Sequence, residues 1–183
     1  MFIRSERLFL RPGWPEDWQE LVDLMGDRSV ADSMVTVPWP YTVEHAHELA
    51  TRPQQRLLPH FFITLPTGEG PKMIGSTGLA RDGDEVEFGY WIAPRHQGRG
   101  YATEAARAVL GLARALGHRR VTANHFVDNP AAAKVLRKVG FAPTGEVRMR
   151  YSAGRGAEAP ASRYAITLDC FGFEDGDDDM RAA

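Results

Sequence analysis

Apolar and polar residues along this chain repeat with helical spacing in some segments and alternate one by one in others. The clearest helical pattern runs from Ala102 to Leu116, where alanine, valine and leucine recur every three or four residues, and Gly117 follows as a natural helix end. Strict alternation predicts strands instead. It is clearest in Glu85 to Ile92, which we expect to pair with Lys72 to Ala80 as a hairpin across the turn 82–84.

The remaining segments complete a mixed order of strands and helices. Further strands are predicted at 2–11, 60–65, 119–127, 141–151 and 162–168, with a glycine-rich loop at 152–159 between the last two. Further helices are predicted at 18–25, at 43–50 after the N-cap Thr42, and at 130–139 after the N-cap Asn129. No repeat or linker divides the chain, so the order predicts one mixed α/β (α+β) domain.

Length and charge narrow the class of protein. The chain has 183 residues and a net charge of −2, which suits one compact domain and favours neither nucleic acid nor an anionic membrane as a partner. We expect the domain to span 1–170 and the acidic segment 171–183 to form a disordered tail. Cys170 is the only cysteine, and no signal peptide or membrane span is evident, so a reducing, cytoplasmic location is expected.

A loop between the hairpin and the strongest helix carries the candidate chemistry. Gly98 and Gly100 let the backbone turn tightly and approach a ligand closely. The following helix presents unpaired N–H groups and the positive end of its dipole, a combination that binds phosphate. Arg95 and Arg99 add charged donors nearby. The segment from Arg95 to Ala102 is therefore a candidate anion site.

Local sequence leaves other interpretations of this loop open. A tight turn flanked by solvated arginines explains the same residues, because short motifs recur by chance. A dinucleotide-binding loop would need a third glycine where Thr103 stands, and a Walker loop would need Gly-Lys-Ser/Thr, which is absent. Local chemistry therefore predicts a phosphate binder without naming its ligand.

The loop and four further segments form an ordered pattern. Arg95-x-x-Gly98-x-Gly100 resembles the acyl-CoA signature of the GNAT acetyltransferase superfamily. The other segments are similar, in the same order, to the first strand, the proline-rich segment, the fourth strand and the late helix of its RimJ/RimL branch, and they lie at 6–12, 38–42, 87–92 and 129–141. The resemblance implies a single GNAT-like domain, in which helices flank a mostly antiparallel sheet and splayed strands form an acyl-CoA cleft.

The resemblance also implies a set of binding residues, with acetyl-CoA as the co-substrate and no metal. Backbone N–H groups of the loop would hold the pyrophosphate, and the end of the preceding strand would run beside the pantetheine arm. The cofactor-binding residues implied in this way are Trp91, Ile92, Ala93, Arg95, Gln97, Gly98, Arg99, Gly100, Tyr101, Ala102, Asn129 and Lys134. A plain helix N-cap explains Asn129 equally well, and a solvated helix surface explains Lys134.

Glu87 is the candidate catalytic base, because it lies on the strand that would line the cleft. It would take a proton from the attacking amine, directly or through water, although a surface carboxylate explains the same residue. The family's usual acid positions hold residues that cannot donate a proton, since Leu136 replaces a tyrosine and Ala132 replaces a serine. The sequence therefore names no general acid.

The resemblance implies an N-acetyltransferase in which a primary amine attacks acetyl-CoA directly within a ternary complex. The expected acceptor is a protein N-terminal α-amine or a small amine. A non-catalytic acyl-CoA-binding sensor is the alternative, which the absent tyrosine and serine leave open. A nucleotide-binding protein is a third interpretation. Neither nucleic acid nor a membrane is expected as a partner, and a homodimer is compatible with the branch.

Overall fold

Eight strands form one sheet in the computed structural model, which describes residues 1–168. The strands are β1 (Ile3–Arg4), β2 (Phe9–Arg11), β3 (His60–Thr67), β4 (Gly70–Asp82), β5 (Glu85–Ile92), β6 (Arg120–Phe126), β7 (Ala142–Ser152) and β8 (Ala157–Thr167). Their order across the sheet is β1-β2-β3-β4-β5-β6-β8-β7, and the pair β5 and β6 is parallel while the other neighbours are antiparallel. Among these residues, five α-helices flank the sheet: α1 (Trp18–Met25), α2 (Arg28–Asp32), α3 (Val43–Ala50), α4 (Tyr101–Ala115) and α5 (Pro130–Lys138).

Helices cover both faces of the sheet, because a strand sends alternate side chains to opposite sides. On one face, Val109 of α4 and Leu136 of α5 belong to the same buried cluster as Phe88 of β5. On the other face, Leu21 of α1 belongs to a second cluster with Trp91 of β5. Strand β5 therefore lies between the two cores, and its position is held from both sides.

The strands β5 and β6 separate soon after they meet. They pair at Glu87 opposite Thr122, and no other register joins them within the part of the chain that the structure describes. Each keeps its antiparallel neighbour over its length, since β4 pairs with β5 and β8 pairs with β6. A gap consequently opens between their C-terminal ends. The predicted GNAT-like fold with splayed strands is confirmed.

Most predicted elements are confirmed, and two boundaries are wrong. The strand predicted at 2–11 is two strands, β1 and β2, joined by a turn in which the Ser5 N–H donates to the Leu8 carbonyl at 3.0 Å. The loop predicted at 152–159 spans only 153–156, because β7 and β8 pair down to the base of the turn. Pairing between strands outweighs the glycine and proline content that predicted a loop there.

Membrane spans and metal clusters can be assessed for residues 1–168. No helix among residues 1–168 is long and apolar enough to cross a bilayer. The same residues hold no cluster of three or more His, Cys, Asp or Glu side chains that could bind a metal ion. Cys170 and the predicted tail at 171–183 lie outside the described residues, so the boundary of the domain stays a prediction.

Candidate functional site

Two glycines in the left-handed region shape the loop before α4. Gly98 has a φ of 74°, and Gly100, the N-cap of α4, has a φ of 81°. Other residues lose about 1–2 kcal/mol in this conformation. The hydrogen bonds within residues 1–168 include none from the N–H groups of Gly98, Arg99 or Gly100, and the first turn of a helix adds further unpaired N–H groups. The loop thus offers a row of free donors at the positive end of the α4 dipole.

Glu104, in the first turn of α4, anchors this loop to the start of the chain. Its carboxylate accepts from the Ser5 hydroxyl at 2.8 Å, from the Arg7 N–H at 2.7 Å and from Arg7 Nε at 2.8 Å. The Arg7 guanidinium also donates to the Arg99 carbonyl at 3.0 Å and lies over the Tyr101 ring. Burial alone would raise the pKa of Glu104, but the hydrogen bonds outweigh it and lower that pKa. The shape of the loop therefore depends on contacts that span 97 residues of sequence.

The strand end that leads into the loop offers its backbone to a ligand. Trp91 and Ala93 are buried in one core and Ile92 in the other, so their side chains are committed to packing. The Gln97 side chain donates to the Ile92 carbonyl at 2.8 Å and ties the strand end to the loop. Beyond Glu87, the edge of β5 that faces β6 has no strand partner among the described residues.

The two arginines of the loop differ in their partners. Arg95 pairs with Asp23 of α1 at 2.9 Å, and both side chains are about half exposed or more. A pair of this kind contributes little to stability and exchanges readily. Arg99 is exposed, and its side chain makes no ion pair within residues 1–168. Its guanidinium is therefore available to an anion at the loop.

The α5 residues form the opposite wall of the gap. Asn129 is the N-cap of α5, with Oδ1 accepting from the Ala132 N–H at 3.2 Å. That bond occupies the carbonyl end of the amide, and its NH₂ group makes no hydrogen bond among the described residues. Lys134 is exposed on the same helix, whereas Leu136 is 2% exposed and belongs to the core. The N-cap interpretation of Asn129 is confirmed, and it leaves the NH₂ group for a ligand.

Glu87 lies where β5 and β6 part. Its Oε1 accepts from Asn124 Nδ2 of β6 and from Arg150 Nη1 of β7, each at 2.9 Å, and its Oε2 accepts from Arg150 Nη2 at 3.3 Å. The Glu87 side chain is 19% exposed and that of Arg150 is 22% exposed. The candidate base is therefore ion-paired, and it connects three strands. Sequence reasoning missed both partners, which are 37 and 63 residues away along the chain.

A cavity of about 440 Å³ lies among α3, β4 and β5, and it reaches residues 89–91 of β5. Its lining includes His60, whose Nε2 is 3.2 Å from Ser76 Oγ. Burial, helped by the charge of Arg52, lowers the pKa of His60 to about 4, so the imidazole is neutral near pH 7. Burial also raises the pKa of Tyr41, another lining residue, to about 12. No sequence motif pointed to these groups as a set.

The turn between β7 and β8, at 153–156, packs against α2 and the segment that follows it. The Ser152 hydroxyl donates to the carbonyl of Met34, a residue of the cavity lining, at 2.9 Å. Gly154 packs directly on α2, where a Cβ would lie 2.5 Å from the Ala31 carbonyl oxygen. Only glycine allows so close an approach. The turn therefore holds the segment after α2 in place as a wall of the cavity.

Two recesses therefore lie along β5. The free N–H groups at the start of α4 border one recess, the cavity is the other, and the end of β5 is common to both. Residues 7–142 match the family model described as the acetyltransferase (GNAT) domain. The chain belongs to this family, for which acetyl transfer to amines is general.

Two curated relatives come from Bacillus subtilis. The protein named "Uncharacterized N-acetyltransferase YoaA" is 35% identical over 94 residues, which are 51% of this chain and 52% of that protein. The chain thus matches about half the length of this relative. The protein named "Probable N-acetyltransferase YjcK" is 30% identical over 158 residues, which are 80% of this chain and 86% of that protein.

Solved structures share the fold. A GNAT-family acetyltransferase from Bacillus anthracis has a TM-score of 0.77 at 24% identity, covering 92% of this chain and 99% of that one. RimL, the ribosomal L7/L12 α-N-protein acetyltransferase in complex with CoA, has a TM-score of 0.75 at 19% identity, covering 93% of this chain and 99% of that one. Spermidine N-acetyltransferase from Vibrio cholerae, in complex with CoA and spermine, has a TM-score of 0.72 at 22% identity, covering 90% of this chain and 97% of that one. At these identities the likeness shows the shared fold.

Proposed function

We propose that the protein transfers the acetyl group of acetyl-CoA to a primary amine by direct attack in a ternary complex, with a protein N-terminal α-amine or a small amine as acceptor. The observation that carries this proposal is the place of two recesses along β5. The glycine loop follows its C-terminal end, and the cavity includes Gly89, Tyr90 and Trp91. A donor bound at the loop and an acceptor bound in the cavity would meet where β6 has left β5.

The residues around the loop suit acetyl-CoA. Unpaired N–H groups from Gly98 into the first turn of α4 would hold the pyrophosphate, with Arg99 as an added charge. The unpaired backbone of Trp91 to Ala93 would run beside the pantetheine arm. The NH₂ group of Asn129, with Lys134 one turn further along α5, would contact the donor from the other wall.

The chemistry needs one bond to form and one to break. The amine nitrogen attacks the thioester carbonyl carbon, the C–S bond breaks, and the proton lost by nitrogen is balanced by one gained by the thiolate. Glu87 is the proposed base, acting through water. Both of its oxygens are engaged by Arg150, so it accepts a proton only in competition with that ion pair. An α-amine, with a pKa of about 8 against roughly 10.4 for a lysine side chain, makes the smaller demand on such a base.

The leaving thiolate would take its proton from solvent. Leu136 is buried in the core and Ala132 has no proton to give, so neither supplies an acid. Burial raises the pKa of Tyr90, which keeps the proton on that hydroxyl more firmly. A thiol with a pKa of about 8.5 leaves readily as the thiolate, and the step proceeds without a dedicated acid.

A second candidate function is acyl-CoA binding without catalysis. Two observations favour it: Leu136 is part of the core, and the candidate base Glu87 is held in an ion pair. Such a sensor would bind CoA through the same loop and would release no thiol from acetyl-CoA in the presence of any amine.

The test is thiol release from acetyl-CoA with a panel of amines that includes peptides with free N-termini and polyamines. The fold alone does not choose among them, since RimL is an α-N-protein acetyltransferase and the Vibrio cholerae enzyme was solved with spermine. Selective turnover of peptide α-amines would support the proposal. Tight CoA binding by calorimetry without turnover of any amine would favour the sensor, and absence of CoA binding would refute both.

A further inference from the structure

Two arginines without an ion-pair partner line the cavity. Arg52 follows the C-terminal end of α3, Arg81 lies on β4, and both are exposed at the cavity wall. Neither makes an ion pair within residues 1–168. The wall holds one carboxylate, Glu48, against these two guanidiniums. The charged lining of the cavity is therefore net positive.

The neighbouring polar groups do not offset this charge. The His60 imidazole is neutral near pH 7, and the charge of Arg52 contributes to lowering its pKa, which places Arg52 within electrostatic reach of the ring. The charge of Arg52 acts on Tyr41 as well, as does the opposite charge of Glu48. The Tyr41 hydroxyl is buried and has no hydrogen-bond partner among the described residues. Buried hydroxyls are nearly always paired, so a ligand oxygen would complete this site.

We infer that the acceptor carries an anionic oxygen group, a carboxylate or a phosphate, that binds against Arg52, Arg81 and the Tyr41 hydroxyl while its amine lies at residues 89–91 of β5. This inference rests on the proposed transfer to a primary amine and names the class of that amine. Guanidiniums bind carboxylate and phosphate through paired N–H donors. The ammonium groups of a polyamine would be repelled by the same charges. The cavity of about 440 Å³ has room for a small anionic amine or for the first residues of a peptide.

Four dipeptide amides isolate the distal charge, because they share an N-terminal alanine and differ only in the second residue. Glutamate is matched with glutamine, and phosphoserine with serine. We expect kcat/KM for the anionic member of the better pair to exceed that of its neutral partner by about tenfold, a modest factor because Arg52 is exposed and its interaction is screened by solvent. The pair with the larger preference identifies carboxylate or phosphate as the bound group.

Two arginine variants test where the preference originates. Arg52→Gln is expected to remove most of the preference, because it should raise KM for the anionic peptide about tenfold more than KM for its neutral partner. Arg56→Gln is the matched control, since Arg56 is an exposed arginine four positions further along and is not part of the cavity wall. The preference should survive in that variant. Tyr41→Phe should lower kcat/KM for the anionic peptide by about threefold, because the hydrogen bond from the tyrosine hydroxyl is lost.

The inference is overturned if the neutral peptides are used as well as the anionic ones, or if Arg52→Gln lowers both members of a pair by the same factor. Those outcomes leave the proposed acetyl transfer standing. If no peptide is acetylated, the proposed peptide acceptor fails instead. Dissociation constants of the same four peptides for the CoA-saturated protein then decide the inference separately: tighter binding of an anionic member, lost in Arg52→Gln, supports it, and equal binding refutes it.

Discussion

Replacing Glu87 with glutamine distinguishes a catalytic base from a residue that only links β5 to β6 and β7. The carboxylate accepts two hydrogen bonds from Arg150 and one from Asn124. Glutamine retains a carbonyl oxygen for one of these donors but loses the charge, so that Arg150 keeps only the Asp82 carboxylate at 4.0 Å. Because the ion pair is partly exposed, we expect the free energy of unfolding to fall by only about 1–2 kcal/mol.

The activity of Glu87→Gln should depend on pH if Glu87 is the base. At pH 7 we expect kcat/KM to drop by about 10²–10³-fold, the usual contribution of a general base. The deficit should shrink toward about pH 9, because an α-amine with a pKa of about 8 then loses its proton without help. The assay is thiol release at saturating acetyl-CoA with one peptide acceptor, measured from about pH 6 to about pH 9.5 beside the unmodified protein.

Arg150→Gln is the matched control, because it breaks the same ion pair and leaves the carboxylate in place. If Glu87 is the base, this variant should lose stability and retain or gain activity. Equal losses of activity in Glu87→Gln and Arg150→Gln, with the pH profile unchanged in both, would refute the reasoning. Glu87 would then act only by holding β5, β6 and β7 together.

Three further predictions concern the loop, the cavity and the N-terminal segment. Gly100→Ala should weaken CoA binding by about tenfold in calorimetry and lower the free energy of unfolding by about 1 kcal/mol, because φ is positive there. Gly111→Ala is the control: it lies in open space within α4 and should raise the free energy of unfolding by about 0.5–1 kcal/mol. His60 has a pKa lowered to about 4, so below about pH 6.5 the unfolded chain binds more protons than the folded one. As the pH falls from about 6.5 to about 4, the free energy of unfolding should therefore decrease by up to about 3 kcal/mol, and urea unfolding of His60→Gln should lack that part of the decrease. Asp17→Asn breaks a buried pair with Arg11, at 2.6 Å and 2.8 Å, and should cost about 3–5 kcal/mol in urea unfolding, so a loss below about 1 kcal/mol would contradict the buried-pair argument.

The elements that sequence predicted well carry signals within a few residues of one another. Helix α4 has five buried apolar residues on one face, and its start and end are marked by Gly100 and Gly117, both at positive φ. The hairpin of β4 and β5 follows from alternation and a short turn. The glycine loop was predicted as an anion site for the same reason, since the turn and the helix start are contiguous. Local chemistry is sufficient there because the proposed ligand contacts are backbone groups.

The parts that sequence did not predict arise from contacts between distant segments. Glu104 meets Arg7, and Glu87 meets Arg150, only after the sheet has formed. No local pattern distinguishes these carboxylates from solvated ones. The cavity is a further example, because its lining combines α3, β4 and β5 with the segment after α2. Neither the charge of its wall nor the unpaired Tyr41 hydroxyl can be inferred before those segments are brought together.

The two proposed halves of the site, for the acetyl donor and for the acceptor, differ in how they tolerate substitution. The proposed donor half uses consecutive backbone groups at the start of α4, so most side-chain changes there leave its N–H groups in place, provided that the glycines remain. The proposed acceptor half uses side chains on several elements, and the cavity wall that holds Arg52, Arg81 and Tyr41 includes no residue of the glycine loop. A fold organised in this way can keep one acetyl donor while its acceptor changes. In the proposed site, the charge and hydrogen-bonding groups of the cavity select the acceptor, and its two arginines would favour an anionic amine.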